Sequence, residues 1–112
     1  KVAWVHYADL EGDEYYDLAK KYMPDGTCGV LAFGIKGGRS ASIAFMDKLK
    51  LVSIVTHVAD AKTCLLHPAS HTHRQLTDKQ LEEAGIAPDL IRLSVGIEDV
   101  NDIINDLKQA LA

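Results

Sequence analysis

The chain has 112 residues, a mass of 12.2 kDa and a formal net charge of -4 at pH 7. This length suits one domain with a single core. Hydrophobic residues make up 47% and charged residues 25%, which excludes a disordered or collagen-like chain. The excess of acidic over basic residues, 16 against 12, argues against a nucleic-acid or anionic-membrane partner. No apolar run approaches the roughly 18 residues of a membrane span.

The two cysteines, Cys28 and Cys64, are too few for a disulfide framework. We expect both to be buried, reduced thiols of a cytoplasmic protein, because the sequence shows nothing obvious that would activate a thiolate. The chain begins with Lys1 and enters an apolar stretch at once, without the pattern of a signal peptide. These features predict one domain, residues 1–112, that is either cut from a longer protein or the product of processing.

The hydrophobic pattern predicts nine elements in the order β-α-β-α-β-β-α-β-α. Strands are predicted at 2–6, 28–35, 51–58, 63–67 and 90–95, and helices at 14–23, 40–50, after residue 77 and at 99–111. Thr77 and Gln80 form a capping box for the third helix, and Gly85 closes it. The first helix carries an apolar stripe of Tyr15, Leu18, Ala19 and Tyr22.

The strand at 51–58 is rich in β-branched residues, and its alternation places Ser53 and His57 on the same face. A short turn at 59–62 joins it to the next strand, which predicts an antiparallel pair. The predicted fold is therefore α+β, a mostly antiparallel sheet with helices packed on one side.

In the last strand Arg92 alternates with Ile91 and Leu93. If those two residues face the helices, Arg92 emerges from the other face of the sheet. Its guanidinium is a planar pair of donors that matches a carboxylate, so it is a candidate anchor for an amino-acid substrate. An arginine that is simply solvated is the more common outcome, and these residues alone leave both interpretations open.

Three histidines, His67, His71 and His73, fall within seven residues and raise the question of a zinc or copper site. Their spacing matches no standard zinc signature and no acidic residue lies among them, so we expect local packing and no metal. The segment 36–39 (KGGR) is predicted to be a glycine turn between strand and helix rather than a phosphate loop. Acidic residues around Glu98 are assigned to the helix dipole.

The second half of the chain contains four short motifs: DAKT at 60–63, HPASHTH at 67–73, AGIAPDLIRLSVGIE at 84–98 and DIINDL at 102–107. Together they resemble the C-terminal domain of the Cys/Met-metabolism family of pyridoxal-phosphate (PLP) enzymes. The upstream stretches AKKYMPDG and GVLAFGIKGGR look most like the O-acetylhomoserine sulfhydrylase branch. The resemblance covers essentially the whole chain.

The resemblance implies the small C-terminal domain of a fold-type I PLP enzyme, whose larger domain is absent from this chain and holds PLP on a lysine. None of the nine lysines here lies in the family's S-x-T-K motif, so we expect no PLP on this chain by itself. Arg92 matches the family arginine that binds the substrate α-carboxylate. His57 occupies the position where relatives often carry Ser or Asn near that carboxylate.

The implied reaction is conversion of O-acetylhomoserine with sulfide or methanethiol to homocysteine or methionine and acetate, with PLP as electron sink. The implied partners are a small amino-acid substrate, the protein's own N-terminal PLP domain and the other subunits of a homotetramer. Another enzyme of the family is an alternative, namely cystathionine gamma-synthase or lyase or methionine gamma-lyase. A stand-alone ligand-binding α+β module, or a metal module using the histidines, would be a different class.

Overall fold

The computed structural model describes all of residues 1–112. Its nine elements follow the predicted order: β1 Val2–His6, α1 Tyr16–Tyr22, β2 Val30–Ile35, α2 Gly38–Met46, β3 Ser53–Ile54, β4 Cys64–Leu66, α3 Asp78–Glu83, β5 Leu90–Ser94 and α4 Val100–Leu111. The capping box at Thr77 is present, so the predicted start of α3 is confirmed. None of the four helices has the length and apolar character that a membrane-spanning helix requires.

The five strands form one sheet in the order β1-β2-β5-β4-β3. Three of the four neighbouring pairs are antiparallel, which confirms a mostly antiparallel sheet. The pair β3–β4 is parallel, so the predicted hairpin at this position was wrong. The reason is the length of β3: its two residues rise only about 3.3 Å each, so the nine residues between β3 and β4 are enough to bring the chain back to the start of β3.

Helices α2 and α4 cover one face of the sheet and form the core with it. Phe45 and Met46 of α2 and Ala110 of α4 pack against strand residues on this face. The buried cluster consists of Phe33, Ile35, Phe45, Met46, Val52, Leu65, Ile91, Leu93 and Ala110. Because Ile91 and Leu93 both belong to this cluster, the predicted alternation of β5 is confirmed.

The opposite face of the sheet carries the candidate site. Arg92 of β5 pairs with Ala32 of β2 on one side and with Leu66 of β4 on the other, while Ala32 pairs with His6 of β1. Residues opposite one another in neighbouring strands point to the same face. Arg92 therefore lies in the middle of a row that crosses the sheet on the face away from α2 and α4.

The apolar stripe of α1 is largely uncovered, although its spacing predicted a packed face. Only Ala19 is buried, whereas Tyr15, Leu18 and Tyr22 are 56%, 51% and 70% exposed. Helical periodicity shows which residues share a face, but it does not show whether this chain supplies a surface to cover that face.

Candidate functional site

Arg92 lies on β5 at the centre of the sheet, and hydrogen bonds from one end of its guanidinium hold the side chain in place. Its Nη2 donates to the carbonyl oxygen of Thr56 at 2.8 Å and to that of His57 at 3.3 Å. Its Nε and Nη1 make no hydrogen bond within the chain, and no carboxylate lies within salt-bridge distance. The side chain is thus a half-buried cation that is anchored on one side and has no counter-ion.

A cleft of about 420 Å³ opens beside Arg92, between β5 and the connection that follows β1. The small side chain of Ala32 separates His6 from Arg92 in the cross-strand row and leaves room between them. Asp13 borders the cleft and accepts the backbone N–H groups of Tyr7 and Tyr15, both at 3.0 Å. The cleft therefore has a cationic wall at Arg92, an apolar floor and an acidic opposite side with Asp13 and Glu14.

The loop 55–62 follows β3 and lies against the end of β5. Its residues are exposed, and Ala59 has a φ of 58°, the only non-glycine residue in the left-handed region. The N–H of Ala59 donates to Oγ of Ser94 at 2.9 Å. Beyond the loop, the N–H and Oγ1 of Thr63 donate to the carboxylate of Glu98 at 2.8 and 2.6 Å.

Sequence reasoning missed this use of Glu98, which was assigned to the helix dipole. The structure gives the capping role to Asp99, whose side chain accepts the N–H of Asn101 at 2.8 Å. The sequence did carry a signal: in R-x-S-x-G-x-E, residues 92–98, the polar residues Arg92, Ser94 and Glu98 are separated by even numbers of residues. Alternate residues of an extended chain lie on the same side, so this pattern indicates that all three face the same way. Arg92, Ser94 and Glu98 all contact the segment 56–63.

His57 lies beside Arg92, but not in the predicted way. Strand β3 ends at Ile54, so His57 belongs to the loop and does not share a strand face with Ser53. Its main-chain carbonyl contacts Arg92, while its imidazole Nδ1 lies 3.2 Å from Oδ2 of Asp60. The structure brings the predicted pair together through the backbone of His57, because the loop carbonyls are directed at the guanidinium.

The three clustered histidines each make local contacts. His67 is fully buried, with Nδ1 2.8 Å from Oγ of Ser70 and Nε2 2.8 Å from the carbonyl oxygen of Pro88. Burial lowers the pKa of His67, which favours the neutral ring. Nδ1 of His71 lies 2.9 Å from the carbonyl oxygen of His67. No three His, Cys, Asp or Glu side chains are arranged to bind a metal ion.

Two other predicted features have mixed outcomes. Cys64 is buried as expected, and burial raises the pKa of its thiol. Cys28 is exposed because it precedes β2, so its predicted burial was wrong. The turn before α2 is confirmed as a glycine turn, since Gly37 and Gly38 have φ values of 109° and 68°, which side chains rarely adopt.

The family follows from a comparison of the whole chain with known proteins. Residues 1–112 match the model of the family described as Cys/Met metabolism PLP-dependent enzyme. The chain belongs to the Cys/Met metabolism family of PLP-dependent enzymes. The matched range includes all four motifs that carried the resemblance.

Individual members of the Cys/Met metabolism family agree with this assignment. The chain is 45% identical over 112 residues to O-acetyl-L-homoserine sulfhydrylase 1 of Thermus thermophilus, covering 100% of this chain and 27% of that protein. It is 50% identical over 111 residues to a homocysteine synthase of Schizosaccharomyces pombe, covering 99% of this chain and 26% of that protein. The chain therefore spans about a quarter of the length of the relatives that it matches.

A solved structure supports the fold of this Cys/Met metabolism chain. The crystal structure described as an O-acetylhomoserine (thiol)-lyase of Campylobacter jejuni superposes with a TM-score of 0.87 at 38% identity. The match covers 98% of this chain and 26% of that one. That structure contains N'-pyridoxyl-lysine-5'-monophosphate. A PLP-linked lysine is thus present in a member of the same family.

The residues of this chain do not by themselves fit PLP. No lysine lines the cleft beside Arg92, so no amine is available there to hold the cofactor covalently. Lys20 instead pairs with Asp9 at the surface, and Lys79 lies 4.0 Å from Glu83 on α3.

Proposed function

We propose that residues 1–112 form the substrate-closing C-terminal domain of a fold-type I PLP enzyme that makes homocysteine from O-acetylhomoserine and sulfide. Methanethiol in place of sulfide would give methionine, with acetate released in both cases. The rest of the polypeptide, outside this chain, supplies the lysine and the site for PLP. In this proposal the enzyme is a cytoplasmic homotetramer, and this domain binds the α-carboxylate of the amino-acid substrate.

The observation that carries the proposal is the state of Arg92. A half-buried guanidinium normally has a counter-ion, yet Arg92 lines the cleft with no carboxylate within salt-bridge distance and with Nε and Nη1 free of hydrogen bonds within the chain. The carbonyl of Thr56 fixes the plane of the group, so little orientational freedom is left to lose when a carboxylate binds. Two parallel N–H···O bonds to a carboxylate would neutralise the charge and orient the substrate.

Exposed apolar side chains on this domain support the proposal that the rest of the polypeptide packs against it. Ile97, Val100 and Val58 are 86%, 61% and 50% exposed, and all three lie close in sequence to the residues that hold the candidate site. Ile104, one turn after Val100 on α4, is 40% exposed. The relatives have about three quarters of their length outside this match, enough for the large domain that the proposal requires.

The isolated chain is expected to fold and to bind no stoichiometric PLP. The physical reason is that the cleft contains no lysine that could hold PLP covalently. Its only arginine, Arg92, is assigned in this proposal to the substrate carboxylate. Equilibrium dialysis of the isolated chain against PLP, followed by mass spectrometry after borohydride reduction, measures this directly. One specifically modified lysine per chain would contradict the assignment of the cofactor to the missing part.

Replacing His57 in the full-length enzyme is expected to change KM for O-acetylhomoserine modestly, by about two- to fivefold, with a smaller change in kcat. The contact with Arg92 is made by the main chain of His57 and survives the substitution. Loss of the imidazole removes its contact with Asp60 and loosens the loop. His57→Asn and His57→Ala are compared by steady-state kinetics, and an unchanged KM in both would show that the imidazole is a bystander.

A further inference from the structure

We infer that Glu98 is a positioning residue, which holds the loop 55–62 through Thr63 and thereby keeps the guanidinium of Arg92 aligned for the substrate carboxylate. The inference rests on the proposed role of Arg92. Glu98 does not line the cleft, and its effect on the substrate passes through the loop. Because its own contacts are with Thr63, the carboxylate of Glu98 is not offered to the substrate.

The contact between Glu98 and Thr63 is made by both groups of Thr63. The N–H of Thr63 donates to Oε1 at 2.8 Å, and its Oγ1 donates to Oε2 at 2.6 Å. Thr63 is fully buried, so these bonds have little competition from water. Oγ1 also accepts the N–H of Gly96 at 2.9 Å, which ties the residue to the chain that follows β5. Hydrogen bonds from the side chain and backbone of Thr63 lower the pKa of Glu98, so the carboxylate is ionised near neutral pH.

The loop depends on such anchors because it buries little of its own surface. Every residue from 55 to 62 is exposed, so packing contributes little to holding it. Ala59 nevertheless keeps a φ of 58°, which persists only where the surroundings fix the backbone. The fixing contacts come from β5 and the residues after it: Ser94 accepts from Ala59, the N–H of Ile97 donates to the carbonyl oxygen of Ala61 at 2.9 Å, and Glu98 accepts from Thr63.

The other end of the same loop supplies the carbonyls that orient Arg92. Thr56 and His57 accept from Nη2, seven and six residues before Thr63. Movement of the loop would withdraw these acceptors, and the guanidinium would then rotate toward the loop or solvent. A strong bidentate contact requires a fixed plane, so a mobile guanidinium binds a carboxylate less tightly.

Gly96 shows how closely the two segments approach. A Cβ at this position would lie 2.4 Å from the carbonyl oxygen of Ala61, 2.5 Å from Oε2 of Glu98 and 2.5 Å from the N–H nitrogen of Thr63. These are distances at which backbone must move. The requirement for glycine here is thus one of space, and it follows from the contact between Glu98 and Thr63.

The test is a double-mutant cycle in the full-length enzyme. Glu98→Gln is expected to raise KM for O-acetylhomoserine about tenfold, with kcat changed less than about threefold and KM for sulfide unchanged. In an Arg92→Ala background, Glu98→Gln is expected to have no further effect, because the group that it positions is gone. Thr63→Val, which loses the Oγ1 donor but keeps the N–H, should raise KM for O-acetylhomoserine in the same direction, whereas Thr63→Ser, which keeps both donors, should leave KM close to that of the unmodified enzyme.

Glu83→Gln is the matched control, because Glu83 is an exposed carboxylate on α3. The KM of this variant for O-acetylhomoserine is expected to equal that of the unmodified enzyme. If Arg92→Ala impairs the enzyme but Glu98→Gln leaves KM unchanged, or adds its full effect to Arg92→Ala, the positioning role is wrong. If Arg92→Ala itself is without effect, the proposed function fails first. Should Glu98→Gln not fold, the comparison of Thr63→Val with Thr63→Ser decides the question alone.

Discussion

Replacing Arg92 with alanine in the full-length enzyme is expected to lower kcat/KM for O-acetylhomoserine more than a hundredfold, which corresponds to a loss of about 3 kcal/mol of transition-state stabilisation. The reason is that the substrate carboxylate would lose its charged partner in a cleft that contains no other arginine and no lysine. Lysine would keep the charge but not the planar fork, so Arg92→Lys is expected to raise KM strongly as well.

The same variant separates binding from folding. Arg92 leaves the packed face of β5, so its removal opens no cavity among the core residues. Loss of the hydrogen bond to Thr56 is expected to lower the free energy of unfolding by about 1 kcal/mol. Arg74→Ala is the matched control, because Arg74 is exposed, and it should leave kcat/KM unchanged. A folded Arg92→Ala enzyme with nearly normal kcat/KM would remove Arg92 from the substrate site.

Replacing Asp106 with alanine is expected to lower the free energy of unfolding by about 3 kcal/mol. Asp106 lies on the buried side of α4, and its carboxylate accepts the N–H groups of Lys50, Leu51 and Val52 at 2.8 to 3.2 Å. Gln109 donates to the same group at 3.0 Å. Alanine would leave these backbone donors without an acceptor where the chain enters β3. Urea unfolding measures the change.

The matched control is Asn105→Ala, an exposed change on the same helix, which should shift the free energy of unfolding by less than about 0.5 kcal/mol. Asp106→Asn keeps one acceptor oxygen and should lie between the two. Equal stabilities of Asp106→Ala and Asn105→Ala would show that the carboxylate does not hold the chain between α2 and β3.

Asp106 also predicts how stability depends on pH. Burial alone raises the pKa of this carboxyl, but the backbone hydrogen bonds from Val52, Lys50 and Leu51 outweigh burial, and the pKa is lowered in the folded protein. A lowered folded-state pKa stabilises the protein fully above the ordinary value of about 4, and this contribution is lost as the pH falls through the folded-state value. The unmodified chain should therefore lose more stability than Asp106→Asn on acidification from about pH 5.

The sequence by itself determined the order of the nine elements, the mostly antiparallel sheet and the outward direction of Arg92. These features depend on local periodicity, capping and alternation, such as the capping box at Thr77 and the burial of Ile91 and Leu93 on either side of Arg92. The motifs of the second half also indicated the family, because each combines several residue types at fixed spacing. Asp106 could have been noticed as a carboxylate on the buried stripe of α4.

Only the tertiary structure decided what the segment after β3 does. Eight residues rich in β-branched side chains predicted a strand, but pairing stops at Ile54 and the rest becomes a loop. Strand pairing and loop anchoring depend on contacts between residues far apart in the chain: Arg92 lies 36 residues from Thr56, and Glu98 lies 35 from Thr63. Local propensity carries no information on such partners, because β-propensity reflects packing against neighbours that only the folded chain provides.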